Sequence, residues 1–424
     1  MERSLVRGSS AGRCDVKFGE DREVQRTLMV LGGSRPVVPV IKAAHALGCR
    51  VVTCDYLPDN VAHRYSDDYR NVSVIDKEAV LEVARELRPD GITSFAADPG
   101  AISAAYVAEQ LGLHFPASYD ATVTLQDKGR FREFLASNGF NSPVARTVSS
   151  VGEAVSLGGS LSFPLIVKPV DSTGSKGVVR IDSVGEVATS VASSLEHSRS
   201  STCVIEEYID TEVRQFGGEM FVASGEVASL ILMDQVFDER HPNPYVPCGH
   251  LIPSAVGADV EAATRDALGR LVELLGLRDG IFNFELRLKP DGRVFIIEVT
   301  PRAAGNSLSE FLHVATGLDL VRASVETSLG EAPAELGDPT DYGYWLQHLL
   351  VGPRRGVLKS VEIDPEFERE HVRQQITWVS PGGEVEPFES GRSPFGALRL
   401  RFDSRDALEQ FLADPDAVVQ VVLE

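Results

Sequence analysis

The sequence has 424 residues, 43% hydrophobic and 24% charged, which is the balance of an ordinary globular protein of roughly two to four domains. Subtracting its 62 acidic from its 41 basic residues gives a net charge of −21, which disfavours non-specific binding to nucleic acid or to an anionic membrane. No apolar run reaches the roughly 18 residues that a membrane-spanning helix needs.

Residues 1–25 lack the apolar core of a secretory signal, so we expect them to form a flexible tail. The five cysteines show neither CxxC nor His/Cys metal spacing, so we expect reduced thiols in a cytoplasmic protein. They are Cys14, Cys49, Cys54, Cys203 and Cys248.

Strand and helix patterns alternate from residue 26 to about 120, which predicts a parallel sheet covered by helices. Gly32, Gly33 and Asp55 occupy the places of the glycines and the ribose-binding acid in a dinucleotide-binding unit. The segment GGSRPVVP nevertheless departs from GxGxxG, and Pro36 and Pro39 interrupt the helix start. We therefore favour a tight turn over an NAD site.

The remaining chain predicts a different build. A helix at 127–137 leads to a region of mainly strands at 163–233, with a helix near 184–197. A long helix at 259–276, a hairpin and a helix from about Leu308 follow, and roughly the last 90 residues predict a small α+β lobe.

The hairpin at residues 281–302 (IFNFELRLKPDGRVFIIEVTPR) carries the strongest signal. If Asp291 and Gly292 form a two-residue loop, one face of the hairpin is apolar, and Glu285 lies directly opposite Glu298 on the other face. The predicted apolar pairs are Phe284 with Val299, Leu286 with Ile297 and Leu288 with Phe295, and Asn283 is predicted to lie opposite Thr300.

Two carboxylates held about 5 Å apart repel each other unless a cation or a shared proton lies between them. Glu285 and Glu298 therefore predict a Mg²⁺ or Mn²⁺ site that is completed by substrate phosphates. The alternative is a solvated hairpin face with two unrelated glutamates.

The segment after the hairpin predicts an anion site. Arg302 precedes a glycine-containing loop and a helix, and Ser307 with Glu310 has the spacing of a capping box at the helix start. An arginine beside free N–H groups at a helix start can bind an anion. The alternative is an ordinary capped helix with an exposed arginine.

A possible phosphate loop lies at residues 171–177, between two predicted strands. It contains two glycines, three hydroxyl residues and Lys176, a composition that can surround phosphates, although it is not a Walker A loop. Lys168 ends the preceding apolar strand and should meet an anion, because a buried lysine without a partner is costly. A flexible polar hairpin is the alternative.

The segment Glu206–Ile209 (EEYI) closes a later strand, where backbone groups could bind an adenine edge, and Glu212 could reach ribose hydroxyls. Lys128 at a helix start adds a further phosphate ligand, because the helix dipole there disfavours a cation. EEYI alone also fits an ordinary edge strand.

In their order along the chain, these segments resemble the ATP-grasp superfamily of carboxylate-amine ligases over roughly residues 26 to 330. The segments are QDKGRFREFLASNGF, FPLIVKPVDSTGSKGV, VIEEYI, FNFELRL and IIEVTPRAAGN, followed by ATGLDL. The resemblance implies an α/β fold, α+β in part, with a preATP-grasp domain at 26–120, a linker helix and lid at 121–208 and a catalytic domain at 209–335. The lobe at 336–424 is similar to that of bacterial L-amino acid ligases.

The resemblance also implies a role for each site residue. Arg302, Lys168 and Lys176 would be catalytic. ATP would be bound by Lys128, Lys168, Ser172, Thr173, Gly174, Ser175, Lys176, Gly177, Glu206, Glu207, Tyr208, Ile209 and Glu212. Metal would be bound by Glu285, Glu298 and, more weakly, Thr300, which replaces the usual asparagine. Substrate would be bound by Arg302, Gly305, Asn306, Ser307 and, more weakly, His250.

The implied activity is the ATP-dependent, ADP-forming joining of a small carboxylate, an amino acid by preference, to an amine through an acyl phosphate. ATP and Mg²⁺ or Mn²⁺ are the implied cofactors, and a homodimer is compatible with the resemblance. Two alternatives remain: carboxyphosphate or carbamoyl-phosphate chemistry, and a degenerate nucleotide-binding module without activity.

Overall fold

The structure is a computed structural model that describes residues 25–157, 162–172, 174, 176–209, 215–333, 336–340 and 342–424. The predicted tail up to residue 24, Thr173, Ser175 and Glu212 lie outside the described residues. Within those ranges, no helix has both the length and the apolar character needed to cross a lipid bilayer.

The chain begins with the predicted parallel sheet, in the strand order β3-β2-β1-β4. Its apolar strands are buried because helices cover them, and Asp76 caps the second helix by accepting a hydrogen bond from Ala79 N at 3.1 Å. The elements are β1 (Thr27–Leu31), α1 (Val38–Ala46), β2 (Arg50–Asp55), β3 (Asp68–Asn71), α2 (Lys77–Leu87), β4 (Gly91–Thr93) and α3 (Asp98–Leu111).

Two short helices lead into a small antiparallel sheet with the order β5-β8-β6-β7. Asp127 caps the second of them by accepting from Arg130 N at 2.9 Å, so this helix begins at Lys128. The elements are α4 (Tyr119–Gln126), α5 (Lys128–Ser137), β5 (Ala145–Val148), α6 (Val151–Ser156), β6 (Leu165–Pro169), β7 (Val179–Ile181), α7 (Val187–Glu196) and β8 (Cys203–Glu207).

A second antiparallel sheet, the large sheet, begins with the next strands. Its apolar face packs on α8 and on α4 and α5 around residues such as Phe216, Phe282 and Leu268. The elements of this part are β9 (Phe216–Ala223), β10 (Glu226–Val236), β11 (Gly249–Ile252), α8 (Ala258–Leu275), β12 (Gly280–Leu288), β13 (Val294–Thr300), α9 (Leu308–Thr316) and α10 (Leu320–Ser328).

The C-terminal residues continue the large sheet, because β14 pairs with β11. The complete order is β13-β12-β9-β10-β11-β14-β18-β16, and β17-β15-β19 form a smaller sheet. The domain division at 335/336 stays a prediction, and the large sheet runs across it. The elements are β14 (Tyr344–Leu350), β15 (Gly356–Ile363), α11 (Pro365–His371), β16 (Val372–Thr377), β17 (Glu384–Val385), β18 (Gly396–Phe402), α12 (Arg405–Ala413) and β19 (Val419–Leu423).

The β12–β13 hairpin pairs Glu285 with Glu298, Phe284 with Val299 and Asn283 with Thr300, as predicted. The predicted two-residue loop is wrong. Lys289 O accepts from Gly292 N at 2.9 Å, and Lys289 N donates to Arg293 O at 3.0 Å, so the loop has three residues, with Gly292 at φ +81°. This is the form that Pro at the first turn position and Gly at the left-handed position favour.

The longer loop shifts the register near the turn, and a bulge at Ile297 restores it at the glutamates. Leu286 therefore lies opposite Ile296 rather than Ile297, and Phe295 lies opposite Arg287 rather than Leu288. The predicted Leu286–Ile297 and Leu288–Phe295 pairs are wrong, and Ile296 is the residue that enters the core.

Candidate functional site

The opposed carboxylates of Glu285 and Glu298 form the centre of the site. Burial raises the pKa of Glu285, and the charge of Glu298 raises it further, whereas a hydrogen bond from the Gln235 side chain lowers it. On the next strand, Gly217 pairs with Glu285, and a Cβ there would lie 2.3 Å from Phe284 O. Only glycine permits this close approach, so β9 places no side chain beside Glu285.

Lys128 supplies a cation to this pair. Its Nζ lies 3.3 Å from Glu298 Oε1 and donates to the Ser172 carbonyl at 3.0 Å. Because Lys128 begins α5 and Ser172 follows β6, one side chain joins the carboxylates to the predicted phosphate loop. The two carboxylates supply the hard oxygen ligands that a divalent ion of the Mg²⁺ type prefers.

Lys168, on β6, meets the anion that its burial predicts, and that anion is Glu206 on the neighbouring strand. Lys168 Nζ lies 2.6 Å from Glu206 Oε1, and Arg132 Nε lies 2.8 Å from Glu206 Oε2. All three side chains are buried. Arg132 was missed, although it lies one helical turn after Lys128 on α5, a spacing that places both cations on one face.

This buried cluster carries more positive than negative charge. Burial opposes ionisation of Glu206, but Arg132 and Lys168 outweigh it and lower the pKa of Glu206 to about 2. Burial lowers the pKa of Lys168 to about 8. Glu206 opposes this effect only in part, because it is shared with Arg132, whose positive charge lowers the pKa of Lys168 further. A buried excess cation is costly without an anion, which makes this a favourable place for a phosphate.

The predicted phosphate loop joins β6 to β7. Its base is fixed by Asp171, whose carboxylate accepts from Ser198 Oγ at 3.0 Å, Arg199 N at 3.1 Å and Ser200 N at 2.8 Å. Lys176 is exposed on this loop. The loop is therefore anchored at one end and presents its lysine to solvent.

The segment after β8 passes against the hairpin. Arg287, on β12, donates to Ile209 O at 2.7 Å, and its guanidinium lies 5.1 Å from the ring centroid of Tyr208. Arg180 lies over the same ring at 4.6 Å. Arg287 thus joins the predicted adenine segment to the β12–β13 hairpin.

Arg302, just after β13, is held by Asp98 at the start of α3, with Nε 2.6 Å from Asp98 Oδ1. Burial opposes the charge on Arg302, but Asp98 outweighs it and raises the pKa of Arg302. Its Nη1 also lies 3.4 Å from Asn283 Oδ1 on the β12–β13 hairpin. A permanently charged guanidinium is therefore fixed beside the carboxylate pair, and Asp98 is a partner that sequence reasoning missed.

The loop after Arg302 is fixed by Glu219 on β9, which was also missed. Its buried carboxylate accepts from Ala304 N at 2.7 Å and from Ser309 Oγ at 2.9 Å. The predicted capping box is wrong, because Ser307 has φ +58° and its side chain makes no capping hydrogen bond. Its left-handed backbone differs from the extended conformation that an N-cap residue normally has.

We expect Glu219 to make the stability of the protein depend on pH. Burial raises its pKa to about 7, from the ordinary glutamate value of 4.5. Its stabilising effect is complete below pH 4.5 and is lost as the pH rises through 7, a loss of about 3 kcal/mol. Urea unfolding at pH 5 and pH 8 should show this loss in the wild type and not in Glu219→Gln. The exposed Glu226→Gln is the control, and an unchanged pH dependence in Glu219→Gln would contradict the assignment.

The two weaker predicted ligands, Thr300 and His250, have different surroundings. Thr300 is buried, and its hydroxyl faces the Asn283 carbonyl at 3.5 Å. His250, on β11, is half-buried, and burial lowers its pKa to about 4, so it is neutral at pH 7. Asp55, the residue weighed for NAD, accepts from Gly33 N at 2.8 Å and Leu57 N at 2.9 Å, as the tight turn requires.

Comparison with known proteins relates the chain to ATP-grasp proteins. Residues 161–310 match the family model of an ATP-grasp domain. The formate-dependent phosphoribosylglycinamide formyltransferase of Synechococcus sp. (strain CC9605) is 30% identical over 205 residues, which are 46% of this chain and 52% of that protein. The carbamoyl phosphate synthase large chain of Thermoanaerobacter sp. (strain X514) is 24% identical over 78% of this chain and 32% of its own length. The chain thus spans about half of the first relative and a third of the second.

Among solved structures, the L-amino acid ligase from Bacillus licheniformis superposes with a TM-score of 0.77 at 20% identity, covering 94% of this chain and 99% of that one. The superposition includes the C-terminal lobe, so the fold implied by the sequence resemblance is confirmed. The chain contains an ATP-grasp domain over residues 161–310 and has the fold of the ATP-grasp ligases.

Proposed function

We propose that this protein is an ADP-forming ligase that activates a small carboxylate, preferably an amino acid, and joins it to an amine. The observation that carries the proposal is the opposition of Glu285 and Glu298 with two cationic groups nearby, Lys128 in contact with Glu298 and Arg302 in contact with Asn283 of the same hairpin. Carboxylate and ATP are both anions, so a catalyst for their reaction chiefly has to neutralise and align them.

Each residue then has a role in binding or orientation. Lys128 and Lys168 bind ATP phosphates, with Ser172, Gly174, Lys176 and Gly177 of the loop closing over them, and Glu206 to Ile209 form the adenine side. The residues proposed from the sequence resemblance alone are Thr173, Ser175 and Glu212 for ATP and Thr300 and His250 for metal and substrate. Glu285 and Glu298 would hold Mg²⁺, which shields the phosphate charge when it is bound.

Arg302 is placed to hold the reacting carboxylate and then the acyl phosphate, with Gly305, Asn306 and Ser307 beside it. The carboxylate attacks the γ-phosphorus and releases ADP, after which the amine attacks the acyl carbon and phosphate leaves. Closure of the loop over the site would exclude water, which otherwise hydrolyses the acyl phosphate.

A phosphate-release screen with Mg-ATP tests the proposal. Amino acids are supplied singly and in pairs, and at least one combination should release ADP and phosphate with formation of an amide. Absence of ADP release with every mixture, together with ATP binding, would support the degenerate module instead. Bicarbonate-dependent turnover would support carboxyphosphate chemistry, which the similarity to a carbamoyl phosphate synthase keeps as the second candidate.

We expect Arg302→Met to lower kcat by about 10²- to 10³-fold, because it removes a fixed donor from the developing charge. Arg302→Lys should recover part of the rate, and the KM for ATP should change little. Arg293→Met, at an exposed arginine of the same hairpin, is the control. Equal kcat values for Arg302→Met and the control would exclude Arg302 from the reaction.

The proposed partners are the two small-molecule substrates, and a homodimer stays a prediction. The described cysteines are buried and free, which supports the reduced thiols and the cytoplasmic location expected from the sequence.

A further inference from the structure

A row of polar side chains crosses the C-terminal half of the large sheet. Residues that are paired directly on neighbouring strands project from the same face. The row starts at Gln235, whose side chain hydrogen-bonds to Glu285. Its members in strand order are Gln235, His250, Gln347, Arg399 and Gln374. Glu285 is therefore connected to a row of polar residues, of which only His250 has a role in the proposed function.

Burial makes this row costly as it stands. Gln347 is fully buried and Arg399 is 2% exposed. Within the described part of the chain, Arg399 Nε, Gln347 Oε1 and His250 Nδ1 have no hydrogen-bond partner. Buried polar atoms normally have partners, so several unpaired atoms along one row indicate a ligand that supplies them.

Arg399 is also without a counter-ion. Its Nη1 donates to Gln374 Oε1 at 2.6 Å and its Nη2 to Ser307 O at 3.2 Å, and both acceptors are neutral. Among the described residues, Arg399 makes no ion pair with a carboxylate, and Glu310 acts on it only at longer range. A buried guanidinium binds an anion more strongly than it binds neutral oxygens.

The loop that follows Arg302 lies directly on this row. Gln347 Nε2 donates to Asn306 O at 3.0 Å, beside the contact between Arg399 and Ser307 O. Asn306 and Ser307 have φ +52° and +58°, a strained conformation for residues other than glycine. This strained loop thus connects Arg302, where the proposed substrate reacts, to the row that carries the unpaired atoms.

We propose that Arg399, with Gln347, binds a second, non-reacting anionic group of a substrate, a carboxylate or a phosphate. The inference rests on the proposed function and narrows its substrates to a pair in which one member carries this additional negative charge. The charge belongs either to the acid that is activated or to the amine that attacks it. Arg399 then selects the substrate without contacting the reacting atoms.

The test uses isosteric probes that differ only in charge. In one arm, L-glutamate and L-glutamine are compared as the activated acid, with hydroxylamine as the amine. In the other, glycine and glycinamide are compared as the amine, with an acid identified by the phosphate-release screen. We expect at least a tenfold preference in kcat/KM for the charged probe in one arm, and that arm identifies which substrate carries the charge.

Arg399→Met should abolish this preference by raising KM while kcat stays within about twofold, and Arg399→Lys should keep part of it. No preference in either arm, or a preference unchanged in Arg399→Met, would overturn the inference. A purely structural arginine would lower the thermal midpoint without changing the preference.

Gln374→Glu keeps the test decisive if Arg399→Met fails to fold. Gln374 is exposed on β16, and a carboxylate there would give Arg399 an internal counter-ion. We expect Gln374→Glu to raise the thermal midpoint and remove the preference for the charged probe, whereas Gln375→Glu, at the next residue on the strand, should do neither.

Binding of succinate in the presence of Mg-ADP, measured by calorimetry, gives a readout without turnover. A tenfold weaker binding of succinate to Gln374→Glu than to Gln375→Glu supports the anion site even if the ligase activity is absent. Equal binding of succinate to Gln374→Glu and Gln375→Glu overturns it.

Discussion

Replacing Glu298 by alanine is expected to abolish Mg²⁺-dependent ADP formation while leaving the protein folded. The variant keeps Glu285 but removes half of the predicted metal site, and the loss of a metal ion's charge stabilisation is worth several kcal/mol, or roughly 10³-fold or more in rate. Stability should change by less than about 1 kcal/mol, because the partly exposed contact with Lys128 is weak and the repulsion with Glu285 is relieved.

Two measurements separate a metal ligand from a structural residue. Mn²⁺ affinity in the presence of ADP should fall at least tenfold in Glu298→Ala, which needs no knowledge of the substrate. Asp291→Ala removes the same charge from the exposed loop of the same hairpin and should leave metal affinity unchanged. Unaltered Mn²⁺ binding in Glu298→Ala would remove the opposed glutamates from the metal site.

Replacing Glu206 by alanine is expected to destabilise the protein by about 3 to 5 kcal/mol, because it leaves Lys168 and Arg132 buried without their shared counter-ion. ATP, if it binds there, should recover part of this loss, since its phosphates can replace the missing carboxylate. Urea unfolding with and without Mg-ATP measures both effects.

The neighbouring Glu207 gives a matched control. Its carboxylate accepts only from Ser162 N at 3.3 Å among the contacts described, so Glu207→Ala should cost less than about 1 kcal/mol. The low pKa of Glu206, about 2, adds a pH signature. Its stabilising effect is complete above pH 4.5 and lost as the pH falls towards 2, so the difference between wild type and Glu206→Ala should shrink in acid. A constant difference from pH 7 to pH 3 would contradict the buried ion cluster.

Local patterns were enough to predict the parts of the fold that repeat over short distances. The alternation of strands and helices gave the N-terminal sheet, and the period of two along β12 and β13 placed Glu285 opposite Glu298. The same reasoning mistook the loop, since it took Asp291 and Gly292 as the whole turn and overlooked Pro290. The error did not reach the site because a bulge at Ile297 compensates for it.

Partners from distant parts of the chain could not be predicted in this way. Asp98 contacts Arg302 across 204 positions, and Glu219 contacts Ser309 across 90, so no local period connects them. Arg132 is different, because its spacing from Lys128 was visible in the sequence. What was missing there was the knowledge that α5 packs beside β8, where Glu206 lies.

The pairing of β11 with β14 has a consequence for the integrity of the molecule. A chain shortened to end near residue 335 would retain every proposed metal and nucleotide ligand, yet it would leave β11 with unpaired backbone amides and carbonyls along one side. Such an exposed edge invites association with other chains. The C-terminal strand β14 therefore satisfies the backbone groups of β11 that would otherwise form an open sheet edge.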